Sequence, residues 1–97
     1  MTVYLIAEIK VTDENWIPEY AGNVHNIVSK HGGKYLSRSG NITSLEGDGK
    51  DLTLVAIISF PSATSMNDFI NDPDYEPYGK ARIAGSISNF YSIEIGR

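Results

Sequence analysis

A chain of 97 residues with 41% hydrophobic content has room for one domain, residues 1–97, built round one core. Its 12 acidic residues against 8 basic ones give a net charge of −4, which argues against a nucleic-acid backbone or an anionic membrane surface as partner. The lack of cysteine removes disulfides and thiolate metal sites. No apolar run approaches the roughly 18–20 residues that span a bilayer, and the first residues lack the basic region and cleavage site of a signal peptide, so a cytoplasmic location is expected.

In chain order, Val3, Leu5, Ala7, Ile9 and Val11 alternate with Tyr4, Ile6, Glu8 and Lys10, so residues 2–11 read as a strand with one wholly apolar face. Thr12, Asp13 and Asn15 offer N-cap side chains. Trp16, Ile17, Tyr20, Val24, Ile27, Val28 and His31 then recur at helical spacing, predicting a helix from about Asn15 or Trp16 to Lys30 that places Pro18 in its first turn. Gly22 inside that helix suggests a close approach by a neighbour, and His31-Gly32-Gly33 supplies the stop. Lys34–Ser39 is a weaker second strand, with a short extension expected at Ile42–Glu46 and a hairpin connection at Gly47-Asp48-Gly49-Lys50.

Asp51–Phe60 is the most apolar run and reads as a central strand closed by Pro61. Leu52, Leu54, Ala56, Ile58 and Phe60 fall on one face, with Thr53, Val55 and Ile57 on the other. Ser62 is an N-cap for a helix carrying Ala63, Met66, Phe69 and Ile70, which stops near Asn71-Asp72-Pro73. Pro77 suits the first turn of a second short helix running through Ala84, and Gly85 ends it. Ser86–Ile95 is the last strand, with Ile87, Tyr91, Ile93 and Ile95 on one face and Phe90 on the other.

The order β-α-β-β-α-β, with the second helix in two pieces, predicts an α+β ferredoxin-like fold with a four-stranded antiparallel sheet. Helices cover only one face of such a sheet. Either Val55 and Ile57, with Tyr4 and Ile6, or else the heavier row Leu52, Leu54, Ile58 and Phe60 with its strand-one neighbours therefore needs a second cover, and a homodimer formed through the open sheet face is the expected supplier.

The segments His31-Gly-Gly-Lys-Tyr-Leu36 with Arg38, Leu45-Glu46-Gly47, Phe60-Pro61-Ser62 and Asp72-Pro-Asp-Tyr75 with Arg82 together resemble the family called domain of unknown function 1330, over nearly the whole chain. The resemblance implies a dimeric α/β barrel, in which two ferredoxin-like sheets pack face to face with helices outside. It implies no reaction. Ser39-Gly40 stands where such proteins commonly carry two glycines, and Ile70 where they often carry an aromatic residue.

Arg38, Glu46, Tyr75 and Arg82 occupy the matching positions and are the candidate ligand-binding residues, two arginines for an anionic group and a carboxylate to orient it. The competing reading has Arg82 paired with a carboxylate to anchor the late helix and Glu46-Gly47 shaping a turn. His25 and His31, six residues apart on one helix, do not form a two-histidine metal site, and no metal or other cofactor is expected. No GxSxG elbow or phosphate-binding glycine loop occurs, so no catalytic residue is assigned. The six tyrosines either line a pocket for an aromatic or polyketide-like compound or serve as packing residues. Two functions follow: a cofactor-free binder or converter of a small organic metabolite, its pocket lying between sheet and helices, or a non-catalytic dimeric module. RNA recognition is disfavoured by the acidic balance and by the lack of an aromatic residue before Phe60 on the third strand.

Overall fold

A computed structural model describes residues 1–95. The elements are β1 (Val3–Val11), α1 (Ile17–Lys30), β2 (Lys34–Ser39), β3 (Leu54–Phe60), α2 (Ala63–Ile70), α3 (Glu76–Ala84) and β4 (Ser86–Glu94). The strands form one antiparallel sheet in the order β2-β3-β1-β4. This is the ferredoxin-like arrangement expected from the sequence, with β1 and β3 at its centre.

The alternation along β1 becomes a burial pattern: Val3, Leu5, Ala7 and Ile9 are buried, while Tyr4, Ile6, Glu8 and Lys10 face the other way. Antiparallel register pairs Val3 with Phe60, Leu5 with Ile58, Ala7 with Ala56 and Ile9 with Leu54, so the apolar rows of the two central strands meet on one face. The helices lie on that face alone, and the molecule measures 38 × 33 × 16 Å, one sheet and one helical layer thick.

Local chemistry sets the ends of the elements. The Asp13 carboxylate accepts from the Asn15 amide at 2.9 Å ahead of α1, and Pro18 takes the second helical position, where its missing N–H costs nothing. Gly32, at φ 76°, and Gly33 fold the chain back so that their amides bond to the Ser29 and Val28 carbonyls. A Cβ on Gly33 would lie 2.6 Å from both Phe60 and Val28, so glycine is required there by packing. Ser62 caps α2 by accepting from the Ser65 amide at 3.1 Å.

Several local expectations are corrected. Residues 40–53 form one long connection without the strand expected at Ile42–Glu46, because the segment runs beside Glu8 and Val55 on the open face of the sheet, held there by the Lys50–Glu8 bond, and pairs with neither free edge, β2 or β4. Regular pairing of β3 begins at Leu54 and not at Asp51. The pairing is prolonged by Thr53, whose amide donates to the Ile9 carbonyl and whose hydroxyl accepts from the Val11 amide. Asp51 instead forms an ion pair with Lys10 at 2.8 Å. Gly22 marks no close approach, since nothing lies within 4 Å of a Cβ built there.

Two clusters make up the core. Val3, Leu5, Val24, Val28, Phe60 and Phe69 anchor the larger one, where the Phe69 ring lies 4.5 Å from Tyr75 and 5.6 Å from Phe60. The smaller consists of Ala7, Ile9 and Ala56, with Trp16, Tyr35 and Phe90 packed against it. Beside the larger cluster, buried Asp72 accepts from Lys30 at 2.9 Å and lies 2.7 Å from His31 Nε2, tying the end of α1 to the segment before α3. His31 thus binds a carboxylate in addition to sitting at a helix C-terminus.

Candidate functional site

Where the smaller cluster meets α1, the side chains do not fill the space. The central pair Ala7 and Ala56 is small, and Ala21 faces it from α1, so a cavity of about 280 Å³ remains between helix and sheet. Ala7, Ile9, Ala56 and Ile58 form its floor. Trp16, Ile17, Tyr20 and Ala21 form its roof, Phe90 of β4 closes one side, and Tyr35 and Arg38 of β2 close the other. A bulge between Tyr35 and Ser37 brings Arg38 onto the helix-covered face opposite Ala56.

The walls are held by bonds pointing away from the cavity. Trp16 Nε1 donates to the Gly85 carbonyl at 3.1 Å, and its ring stands edge-on to Tyr20 at 5.2 Å. The Tyr20 and Tyr75 hydroxyls are 2.8 Å apart. Burial is the main reason the Tyr20 hydroxyl is strongly disfavoured from ionising, and its contact with Tyr75 adds to this, while the nearby Arg82 charge opposes it. Burial raises the Tyr35 pKa as well, with Arg38 acting in the opposite direction.

Of the residues singled out from the sequence, one borders this cavity and two contact its wall residues from outside the lining, in a separate groove beside α3. Arg38 is at its mouth, exposed, with its guanidinium carbon 5.5 Å from the Tyr35 ring centre. Tyr75, buried, stands behind Tyr20. Arg82, also buried, lies 3.9 Å over the ring of Phe90 and donates from Nη1 to the Ser88 hydroxyl, leaving its Nε without a partner. Its binding partners are therefore a serine and an aromatic face, in place of the carboxylate that the anchoring reading requires. Glu46 is exposed in the 40–53 connection and borders none of the cavity. Tyr20 and Tyr35 line the cavity, whereas Tyr4 and Tyr91 lie on the open face of the sheet.

Sequence reasoning passed over Ala7, Ala21, Ala56, Trp16 and Phe90. The available signal was the alanine in the middle of each of two otherwise bulky strand rows, which becomes a gap once register places the two side by side. His25 was also set aside. It stacks on Tyr35 with ring centres 5.7 Å apart and an interplanar angle of 16°. Together with Gly22, Ser37 and Arg38 it lines an open groove of about 580 Å³ that shares Ala21, Tyr35 and Arg38 with the cavity and so forms its outer vestibule. Among the described residues no three His, Cys, Asp or Glu side chains converge as metal ligands, and no helix is long and apolar enough to cross a membrane.

The opposite face of the sheet carries Ile6, Val55, Ile57, Tyr91 and Ile93, with Tyr91 46% and Ile93 51% exposed. Glu8 is the polar centre of this face, accepting from Lys50 at 2.8 Å and from the Tyr91 hydroxyl at 2.9 Å. Those two bonds hold its carboxyl pKa below the ordinary value and pin the 40–53 connection to the sheet.

A four-stranded antiparallel sheet in the order β2-β3-β1-β4 with its helices on one face defines the structural class, a ferredoxin-like fold. The chain belongs to the DUF1330 family, a domain of unknown function, whose model matches residues 2–95. No curated protein matches the sequence. Among solved structures, the chain is similar to a protein of unknown function from Rhodopseudomonas palustris at 15% identity and a TM-score of 0.82, covering 99% of this chain and 83% of that one. It is similar to a dimeric ferredoxin-like protein of unknown function from Jannaschia at 11% identity and a TM-score of 0.79, covering 98% and 100%. A cofactor-independent oxygenase from Streptomyces nogalater is similar at 15% identity and a TM-score of 0.69, covering 99% and 94%.

Proposed function

We propose that this protein binds a small organic molecule in the cavity between α1 and the sheet, without a metal or nucleotide cofactor, and works as a homodimer through its open sheet face. The observation that carries the binding reading is the cavity itself. Its volume of about 280 Å³ is enclosed mainly by apolar and aromatic side chains and opens past Tyr35 and Arg38. Cavities of about 150 Å³ with apolar linings accommodate benzene, so this one suits a body of one or two rings. In this reading Arg38 meets the ligand at the mouth, Tyr75 and Arg82 support the Tyr20 and Phe90 walls, and Glu46 is the expected binding residue with no part to play.

A cofactor-independent oxygenase among the similar folds is consistent with small-molecule chemistry on this scaffold. The dimer reading is supported by the uncovered row Tyr91, Ile6 and Ile57, with Val55 and Ile93 beside it, and by the similar protein described as dimeric. Thermal-shift titration with a panel of one- and two-ring compounds tests the binding reading. At least one compound is expected to stabilise the wild type and to lose that effect in Ala56→Leu, which fills the cavity. A panel in which no compound stabilises the wild type more than Ala56→Leu overturns it.

A further inference from the structure

We infer that the ligand is a planar organic monoanion of the aromatic carboxylate class, with its ring between Ala56 and Tyr20 and its acid group at Arg38 in the mouth. The inference rests on the cavity reading above and adds the charge and orientation of what binds. Three observations carry it.

First, the cavity and its vestibule have a one-sided charge. Arg38 borders both, and no aspartate or glutamate borders either. In a chain with 12 acidic and 8 basic residues, an arginine facing an apolar cavity with no acid beside it stands against the overall balance. Among the described residues the ion pairs are made by lysines and His31, while Arg38 rests on the Tyr35 ring and forms none. A guanidinium is a planar fork matched to a carboxylate, and a nearby low-dielectric cavity raises the value of that match.

Second, a further buried cation reinforces the same sign. Arg82 lies over the Phe90 ring, outside the cavity lining, with its Nε unpartnered, and its charge reaches the hydroxyl of Tyr20, whose ring lines the cavity. Fixed positive charge around a cavity concentrates anions there.

Third, the interior asks for a flat apolar body. Two alanines form the middle of the floor, the aromatic rings of Trp16, Tyr20, Tyr35 and Phe90 surround it, and the Trp16 N–H is already committed to Gly85. Polar recognition is thus concentrated at the mouth, where Arg38 is joined by His25 stacked on Tyr35.

Calorimetric titration with naphthoate and with naphthamide, its neutral counterpart, separates charge from shape. Wild type is expected to bind naphthoate at least about tenfold more tightly than naphthamide, the range of a charge-assisted hydrogen bond. Arg38→Gln, a change at an exposed side chain, is expected to bring naphthoate down to the level of naphthamide, abolishing the preference. Arg38→Lys is expected to recover only part of the preference. Equal binding of the two compounds to wild type, with both lost in Ala56→Leu, overturns the anion inference and leaves the cavity reading intact. A naphthoate preference that survives Arg38→Gln overturns it too, and so does failure of naphthoate to bind the wild type, whereas the cavity reading is overturned only by the failure of the whole one- and two-ring panel.

Discussion

Replacing Ala56 by leucine puts the cavity to a test of sign. Ala56 is buried on β3 opposite Ala7, and its methyl group forms part of the cavity floor. In a close-packed core, adding three carbons costs about 1–3 kcal/mol through forced rotamers and backbone shifts. Here 280 Å³ of open space receives them. Burial at about 0.8 kcal/mol per carbon then contributes roughly 2.4 kcal/mol, and ordering a leucine side chain removes about 0.5–1 kcal/mol of it. The net expectation is a stabilisation of about 1.5 kcal/mol, which for a domain of this size raises Tm by roughly 6–12 °C. Val24→Leu, in the filled cluster where Val24 is 1% exposed, is the control and is expected to destabilise. Urea melts of both variants, read by circular dichroism, supply the two values. A loss of stability in Ala56→Leu equal to that in Val24→Leu would refute the reasoning, because it would mean that the space under α1 is already occupied by its own side chains.

Other expectations follow from separate parts of the molecule. Val55→Glu or Ile57→Glu places an unpaired carboxylate on the open face and is expected to weaken self-association by on the order of 100-fold or more, whereas Glu14→Lys outside that face leaves it unchanged. Light scattering at micromolar concentration reads this, and a folded, monodisperse wild-type monomer would contradict it. Tyr20→Phe leaves the buried Tyr75 hydroxyl without its partner and is expected to cost about 1–3 kcal/mol in a denaturant melt. Asp72 has its pKa held far below the carboxylate range, chiefly by His31, then by the Asp74 amide and Lys30. A lowered folded-state pKa stabilises above the unfolded value of about 3.9 and is lost as pH falls toward the folded one, so the Tm gap between wild type and Asp72→Asn should be full above about pH 5 and close steadily below about pH 4. A gap independent of pH between 2 and 6 would rule out that linkage.

The fold was legible wherever one physical rule acted alone. The alternation in β1, the Ser62 cap and the glycine after Ala84 each translate directly into an element or its end. The connection 40–53 was not legible, because whether residues 42–46 form a strand depends on whether the chain's path brings them to a free sheet edge, and here it takes them beside the open face instead, a property of the whole fold and not of the segment. The reading of Gly22 failed because glycine tolerates close packing without requiring it; the position faces open space over the vestibule. Arg38, Tyr75 and Arg82 were found from a family resemblance, and only the register and the bulge in β2 reveal that Arg38 borders the gap, while Tyr75 and Arg82 reach it through the Tyr20 and Phe90 walls alone. That gap was hidden because Ala7 and Ala56 look like ordinary small core residues until they are placed side by side.

The most direct test of small-molecule binding under α1 is to locate a bound ring by nuclear Overhauser effects to alanine methyl groups. With naphthoate added to methyl-labelled protein, ring protons are expected to show contacts to the methyls of Ala7, Ala21 and Ala56, which line the cavity from sheet and helix alike. Ring contacts confined to Ile57, Val55 and Ile93 on the open sheet face, with none to those three alanines, would contradict the account.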